Sequence, residues 1–135
     1  MDIIVNYWAV LAAGIANFII GGLWYSPLLF AKAWMAASGK TEEDLKKGGQ
    51  VQAMAWGFVG AMLTAFVLAH FIKMLDITTV GGALPLAFWT WLGYIVTTKL
   101  ADVAFESQSK TSFLIYVSYQ LVAFLVMASI LALWG

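Results

Sequence analysis

Few side chains in this sequence can carry chemistry, and the most suggestive of them lie in one polar segment. Asp102 and Glu106 are four residues apart, so on a helix they share one face, with Lys99 one turn before Asp102. Two carboxylates in this arrangement can act as acid and base or can hold a divalent cation. Salt bridges to Lys99 or Lys32 explain the same residues, and we favour this structural role over a membrane-embedded enzyme.

His70 is the only histidine, and cysteine is absent. A metal site normally needs several ligands at a defined spacing, and His70 has no second histidine at i+4. The sequence also lacks a glycine-rich phosphate loop and a usable Ser/His/Asp set. We therefore predict no catalytic residue, no metal and no cofactor, and our main hypothesis is a non-enzymatic role.

The composition predicts a chain that is embedded in a membrane. Of 135 residues, 63% are hydrophobic and only 10% are charged, whereas about a quarter are charged in an ordinary soluble domain. The seven basic and seven acidic residues cancel, so the electrostatic footprint of a nucleic-acid-binding protein is missing. We predict a single membrane domain whose partners include lipids and exclude nucleic acid.

Four apolar segments are each expected to cross a hydrocarbon core of about 30 Å. They lie at residues 3–25, 51–72, 82–98 and 111–134. A shorter apolar segment, 27–37, follows Ser26, and the pair Ser26 and Pro27 is typical of a helix start. The segment predicts an interfacial amphipathic helix. The alternative is that the first span continues through a kink at Pro27. The predicted fold class is an all-α, four-transmembrane-helix bundle.

The lysines predict the orientation of the bundle. With four spans, loops 38–50 and 99–110 lie on one side, and together with Lys32 they hold six of the seven lysines. Because lysine-rich loops stay in the cytoplasm, we expect both termini outside and both loops inside, in the inner (cytoplasmic) membrane. In the first loop, Thr41 and Asp44 resemble a capping box and predict a short helical turn.

Three uncharged polar side chains on different spans lie at one predicted depth. Asn17, Thr90 and Gln120 are each about 12 to 14 Å from the same boundary at ~1.5 Å per residue. Other polar residues of the third and fourth spans lie nearer the cytoplasm, namely Tyr94, Thr97 and Tyr116. The layer either holds the helices together by mutual hydrogen bonds or lines a pocket, open to the cytoplasm, for a small neutral, amphipathic or lipid-like molecule. The pocket would make the protein a binding or transport module.

Small residues recur at every fourth position on the first two spans. The rows are Ala9, Ala13, Asn17 and Gly21 on the first, and Ala53, Gly57, Ala61 and Ala65 on the second. Small faces let membrane helices approach closely. We interpret both rows as packing faces, used inside one bundle or between the copies of a homo-oligomer.

The segment 24–34 holds the most distinctive cluster of interfacial residues. Trp24, Tyr25, Lys32 and Trp34 are of the types that gather at the boundary between lipid and water. They are expected to contact lipid headgroups, with Lys32 turned toward the polar rim formed by Lys99, Asp102 and Glu106. An alternative hypothesis is a scaffold or accessory subunit that binds lipid or another membrane protein through this segment.

Residues 21–34 also carry a resemblance. Their combination of Trp-Tyr-Ser-Pro with Phe-x-Lys-x-Trp resembles the small bacterial membrane proteins of domain-of-unknown-function family 1761. Weaker similarity continues through residues 41–44, 105–106 and 119–121, so the resemblance covers nearly the whole chain. It implies a four-helix integral membrane protein and brings no activity with it.

Overall fold

The computed structural model describes residues 3–39, 43, 50–106 and 109–135. These residues form helices and turns, with no β-strand among them. The helices are α1 (Tyr7–Trp24), α2 (Ala31–Ser38), α3 (Gln50–Met74), α4 (Val80–Thr90), α5 (Thr97–Glu106) and α6 (Lys110–Trp134). A π-helical segment, Trp91–Val96, joins α4 to α5, so Val80–Glu106 is one continuous helix.

Four of these helices are long and apolar enough to cross a membrane. They are α1, α3, the continuous helix Val80–Glu106 and α6. The prediction of an all-α fold with four such helices is therefore confirmed. Most of loop 38–50, with the predicted capping box of Thr41 and Asp44, lies outside the described residues.

Polar side chains cap the first turns of three helices. Asn6 Oδ1 accepts hydrogen bonds from the backbone N–H groups of Trp8 at 3.0 Å and Ala9 at 3.3 Å. At the start of α4, Thr79 Oγ1 accepts from Gly82 N at 3.1 Å, and Ser109 begins α6 in the same way. Because a cap satisfies backbone donors that have no partner within the helix, each polar residue marks where its helix begins.

The turn after α1 differs from the predicted helix start. The Ser26 hydroxyl donates to Leu23 O at 2.6 Å, while the carbonyl of Ser26 accepts from Leu29 N at 3.0 Å and Ala31 N at 3.1 Å. Ser26 therefore closes the end of α1, and α2 begins only at Ala31. The prediction that Ser26 caps an interfacial helix is wrong because its hydroxyl is bonded backward along the chain. The kinked, continuous first span is wrong as well.

The segment predicted as the loop 99–110 is largely helical. The helix runs without interruption to Glu106, and Lys99 Nζ lies 3.6 Å from Asp102 Oδ2 one turn away. Residues 97–106 contain neither glycine nor proline, so nothing in the sequence stops the helix there. The charged residues of this segment predicted contact with water, which an exposed helix satisfies as well as a loop does. The prediction of a loop is therefore wrong for residues 99–106.

The last helix, α6, is the centre of the bundle and packs against α1, α2, α3 and α4. Met127 and Ala128 on α6 are fully buried, as is Ala13 on the facing side of α1. Gly14 lets α1 and α3 approach, because a Cβ at this position would lie 2.2 Å from Met62 Sδ and 3.2 Å from Met62 Cα. This close approach of small residues is how helices associate in lipid, where burial of apolar surface supplies little attraction.

The two rows of small residues have different outcomes. On α1, three of the four positions are buried in the bundle, namely Ala9, Ala13 and Asn17, so the predicted packing face is confirmed. On α3, Ala61 and Ala65 are buried, whereas Ala53 and Gly57 are exposed. The first part of α3 therefore stands away from α1, and this separation opens the space described next.

Candidate functional site

A cavity of about 600 Å³ lies at the end of the bundle where α1 ends and α3 begins. Its volume falls within the range of small-molecule sites. Four helices contribute to its walls: α1 and the turn after it, α2, α3 and α6. The lining residues are Phe18, Gly21, Gly22, Tyr25, Ala31, Trp34, Met35, Ala53, Met54, Gly57 and Tyr119.

Residues without side chains keep the cavity open. A Cβ built at Gly22 or at Gly57 would meet no atom within 4 Å, so each faces empty space. Phe18 closes the side toward the middle of the bundle, where its ring packs edge-on against Phe58 at 5.6 Å between centroids. The buried Ala31 brings the start of α2 to the opposite side.

Three aromatic side chains form the polar part of the wall. The Tyr25 ring packs edge-on against Trp34 at 5.8 Å and against Tyr119 at 6.2 Å between centroids. Tyr119 packs across Gly21, where a Cβ would lie 3.1 Å from the phenol oxygen. The two phenols and the Trp34 indole thus lie side by side in a wall that is otherwise apolar, as is common in sites for amphipathic ligands.

Tyr25 follows the last residue of α1, and its hydroxyl is neutral. Burial raises the pKa of Tyr25 to about 12, with smaller contributions from Tyr116 and Tyr119. None of the lining residues is charged. The described cavity therefore offers uncharged hydrogen-bonding groups, and none of its lining side chains is a carboxylate, an imidazole or an amine.

Asn17, the most buried residue of the predicted polar layer, supports this wall. Its exposed fraction is 2%. Asn17 Oδ1 accepts a hydrogen bond from the Tyr119 hydroxyl, and Asn17 Nδ2 lies 3.6 Å from Met127 Sδ. An amide in the bundle interior needs partners, and Asn17 finds both on α6.

The other two residues of the layer bond within their own helices. Thr90 Oγ1 donates to Leu86 O at 2.7 Å, and Gln120 Nε2 donates to the Tyr116 hydroxyl at 3.1 Å. The predicted mutual hydrogen bonds among Asn17, Thr90 and Gln120 are therefore wrong. Equal depth did not bring them together, because each side chain points in a direction set by the rotation of its helix.

Nor do the predicted pocket residues line one cavity. Thr90 and Tyr94 line a separate groove of about 250 Å³ between α3 and the continuous helix Val80–Glu106, with Phe124 of α6 in its wall. Thr97 is exposed and donates to Gly93 O at 2.6 Å within its own helix. Tyr116 contacts Tyr119 edge-on at 6.3 Å but does not itself line the cavity at α2.

The polar rim is held by local contacts. Lys99 Nζ pairs with Asp102 and lies 4.6 Å from the centre of the Tyr116 ring. Within the described residues, Lys32 and Glu106 form no ion pair, so the predicted bridge from Lys32 to this rim is wrong. Lys32 is exposed on α2, and its contact with lipid headgroups stays a prediction.

His70 lies on α3 and bonds to the backbone of its own helix. His70 Nδ1 donates a hydrogen bond to Phe66 O at 2.8 Å, one turn earlier on α3. The described part of the chain contains no group of three or more His, Asp or Glu side chains that could hold a metal ion.

The sequence matches the model of a known protein family. The family model described as "Protein of unknown function (DUF1761)" matches residues 8–132, nearly the entire chain. The protein belongs to the DUF1761 family. No curated protein and no solved structure matches the chain significantly.

In this DUF1761 protein, sequence reasoning named Tyr25 and Trp34 only as contacts at the lipid boundary, and none of its predicted pocket residues lines this cavity. Tyr119 was missed because depth alone selects Gln120, its neighbour, which lies about 100° away around the helix. The signal for the α3 wall was present in the row that includes Ala53 and Gly57, but the row was interpreted only as a packing face. Trp24, which the sequence predicts at the lipid boundary, donates to Ser118 Oγ of α6 at 3.1 Å.

Proposed function

We propose that this protein is a non-enzymatic membrane module that binds a single-chain, lipid-like amphipathic molecule in the cavity between α1, α2 and α3. The observation that carries the proposal is the open, uncharged cavity of about 600 Å³. Glycines at positions 22 and 57 leave it unfilled, although a Cβ atom at either would meet no atom within 4 Å. A lipid bilayer offers many apolar chains that fit such a space.

The proposed orientation places this cavity at the cytoplasmic face of the inner membrane. It lies at the end of α1 and the start of α3, and the sequence between α2 and α3 contains Lys40, Lys46 and Lys47. The positive-inside rule supports this placement. Both termini then lie outside. Association with further copies or with another membrane protein stays a prediction from the sequence.

Asn17 has a supporting role in this proposal. Its bond to the Tyr119 hydroxyl fixes the phenol against Gly21, and the ring forms part of the cavity wall. The polar layer predicted from depth thus contributes to the site through one residue only. Thr90 and Gln120 have no part in it.

A cavity-filling substitution tests the proposal. In Gly57→Leu the new side chain extends into the cavity, whereas Gly60→Leu places the same side chain on the same helix at a position that does not line it. The full chain is reconstituted in phosphatidylcholine nanodiscs with a long-chain alcohol that carries a photoreactive diazirine in its chain. Crosslinking to the α3 segment around Met54 is then measured by mass spectrometry.

We expect crosslinking near Met54 in the unsubstituted protein and in Gly60→Leu, and a loss of most of it in Gly57→Leu. Folding of each variant is checked by its thermal unfolding in the nanodisc. Equal crosslinking in the two folded leucine variants would overturn the proposal, since the probe would then be labelling the lipid-facing surface without entering the cavity.

A further inference from the structure

The hydrogen bonds around Tyr119 determine what its hydroxyl can offer a ligand. Met127 Sδ is a thioether, which accepts hydrogen bonds weakly and cannot donate one. The amide nitrogen of Asn17 therefore faces Met127, and its oxygen faces Tyr119. Because the only proton of the Tyr119 hydroxyl is donated to Asn17, this hydroxyl can act toward the cavity only as an acceptor.

The Tyr25 hydroxyl, in contrast, can donate a hydrogen bond to a ligand. Tyr25 lines the same cavity, and its hydroxyl makes no hydrogen bond within the described part of the chain. A phenol can donate one hydrogen bond and accept others. A ligand group beside Tyr25 can therefore accept a hydrogen bond from it.

The two phenols together select the polar end of the ligand. A carboxylate or phosphate would lose its hydration in a cavity whose described walls carry no cation. A carbonyl or ether oxygen accepts from Tyr25 but cannot donate to Tyr119. An alcohol does both, since its oxygen accepts one hydrogen bond while its proton is donated.

The remaining space suits an alkyl chain. Along α1 the cavity extends from Phe18 to Tyr25, about 10 Å at ~1.5 Å per residue. Away from the phenols its walls are apolar, formed by Phe18, Met35, Ala53 and Met54. Methionine side chains adapt readily to an irregular apolar ligand.

We propose that the cavity selects an uncharged lipid with a hydroxyl head, such as a long-chain alcohol or a monoacylglycerol, and that the hydroxyl binds between Tyr25 and Tyr119. This inference rests on the proposed function and narrows its ligand to one class. Tyr25 is the residue that contacts the head directly, and Asn17 is a positioning residue that makes Tyr119 an acceptor.

Three probes share one diazirine-bearing alkyl chain and differ only in the head group, which is a hydroxyl, its methyl ether or a carboxylate. Each probe is tested as a competitor for crosslinking near Met54 in the full-length protein in nanodiscs. The alcohol should compete at concentrations about three- to tenfold lower than the methyl ether, the factor that one or two hydrogen bonds supply. The carboxylate should compete more weakly than the alcohol.

The Tyr25→Phe variant should remove most of the difference between alcohol and ether. Its matched control is Tyr94→Phe, which deletes a hydroxyl from the separate groove beside α3 and should leave the difference unchanged. Because the Tyr25 hydroxyl has no partner in the described residues, this variant is expected to keep its thermal stability.

The outcomes distinguish the two proposals. If ether and alcohol compete equally and both lose their site in Gly57→Leu, the preference for a hydroxyl head is overturned while the cavity stays a lipid site. If none of the three probes responds to Gly57→Leu, the proposed function is wrong, and the head-group inference is overturned with it.

Discussion

Asn17 on α1 and Tyr119 on α6 are joined by a hydrogen bond across the bundle interior, in which the phenol donates to the amide oxygen. The two residues are 102 positions apart in the chain. This bond links the central helix to the first one and at the same time fixes one wall of the candidate site.

Removing either partner of this bond should destabilise the bundle, and the two effects should be coupled. Asn17→Leu removes the acceptor, and Tyr119→Phe removes the donor and leaves the amide oxygen unpaired. Hydrogen bonds between helices in membranes contribute ~0.6 kcal/mol on average and at most about 1.7 kcal/mol, so we expect a coupling free energy in that range. Reversible unfolding of the two single variants and the double variant measures it. Strictly additive effects would show that the bond contributes nothing to stability.

Gly14 should not tolerate even a methyl group. A Cβ there would overlap Met62, including its backbone Cα at 3.2 Å, so α1 and α3 would have to separate. Overpacking of this kind typically costs about 1–3 kcal/mol. We expect Gly14→Ala to lower the thermal stability in nanodiscs, whereas Gly22→Ala, which meets no atom within 4 Å, should leave it nearly unchanged. Equal stability of the two variants would contradict the described packing of α1 on α3.

Trp91 should anchor the continuous helix Val80–Glu106 to α6. Its indole N–H donates to Val117 O at 2.7 Å, at the start of the π-helical segment. Trp91→Phe keeps an aromatic ring but loses this bond, which we expect to cost about 0.5–1.5 kcal/mol. Hydrogen exchange of the amides in Trp91–Val96 should become faster. The control is Trp89→Phe, because Trp89 is 65% exposed. Faster exchange in both variants would show that the loss of any indole has this effect and that the bond to Val117 O is not its cause.

The proposed orientation can be tested with single-cysteine variants, because the sequence contains no cysteine. Phe105 is 90% exposed near the end of α5, and Asp76 lies in the turn after α3 at the other end of the bundle. In intact cells, a membrane-impermeant maleimide should label Asp76→Cys and should label Phe105→Cys only after the membrane is broken. The reverse pattern would invert the topology and place the cavity outside.

Binding of the alcohol probe should be insensitive to moderately alkaline pH. An ordinary tyrosine is half ionised at about pH 10, but burial raises the pKa of Tyr25 to about 12. Its proton is therefore retained over this range, and Tyr25 remains a neutral donor. Competition by the alcohol probe measured at neutral pH and at about pH 10 should agree within error. A marked loss at the higher pH would indicate that the phenol is ionised and that the cavity is open to water.

The number and type of the helices could be predicted because they depend on local composition. Long uncharged apolar segments predict spanning helices wherever they occur, and the row Ala9, Ala13 and Asn17 shows which face of α1 is small enough to be buried. Helix ends were less predictable. Ser26 can cap a following helix or close the preceding one, and only the path of the chain after α1 decides between them.

The candidate site depended on the relative rotation and separation of helices, which no single segment encodes. Sequence placed Asn17, Thr90 and Gln120 at one depth, but the rotation of α6 turned Tyr119 toward Asn17 and left Gln120 bonded to Tyr116. In the same way, the row that includes Gly57 and Ala61 is continuous in sequence, yet α3 packs closely only from Ala61 onward. The sequence by itself determined which residues are small, polar or apolar. Only the packing of the four helices against each other decided which small residues contact a neighbouring helix and which border an open cavity.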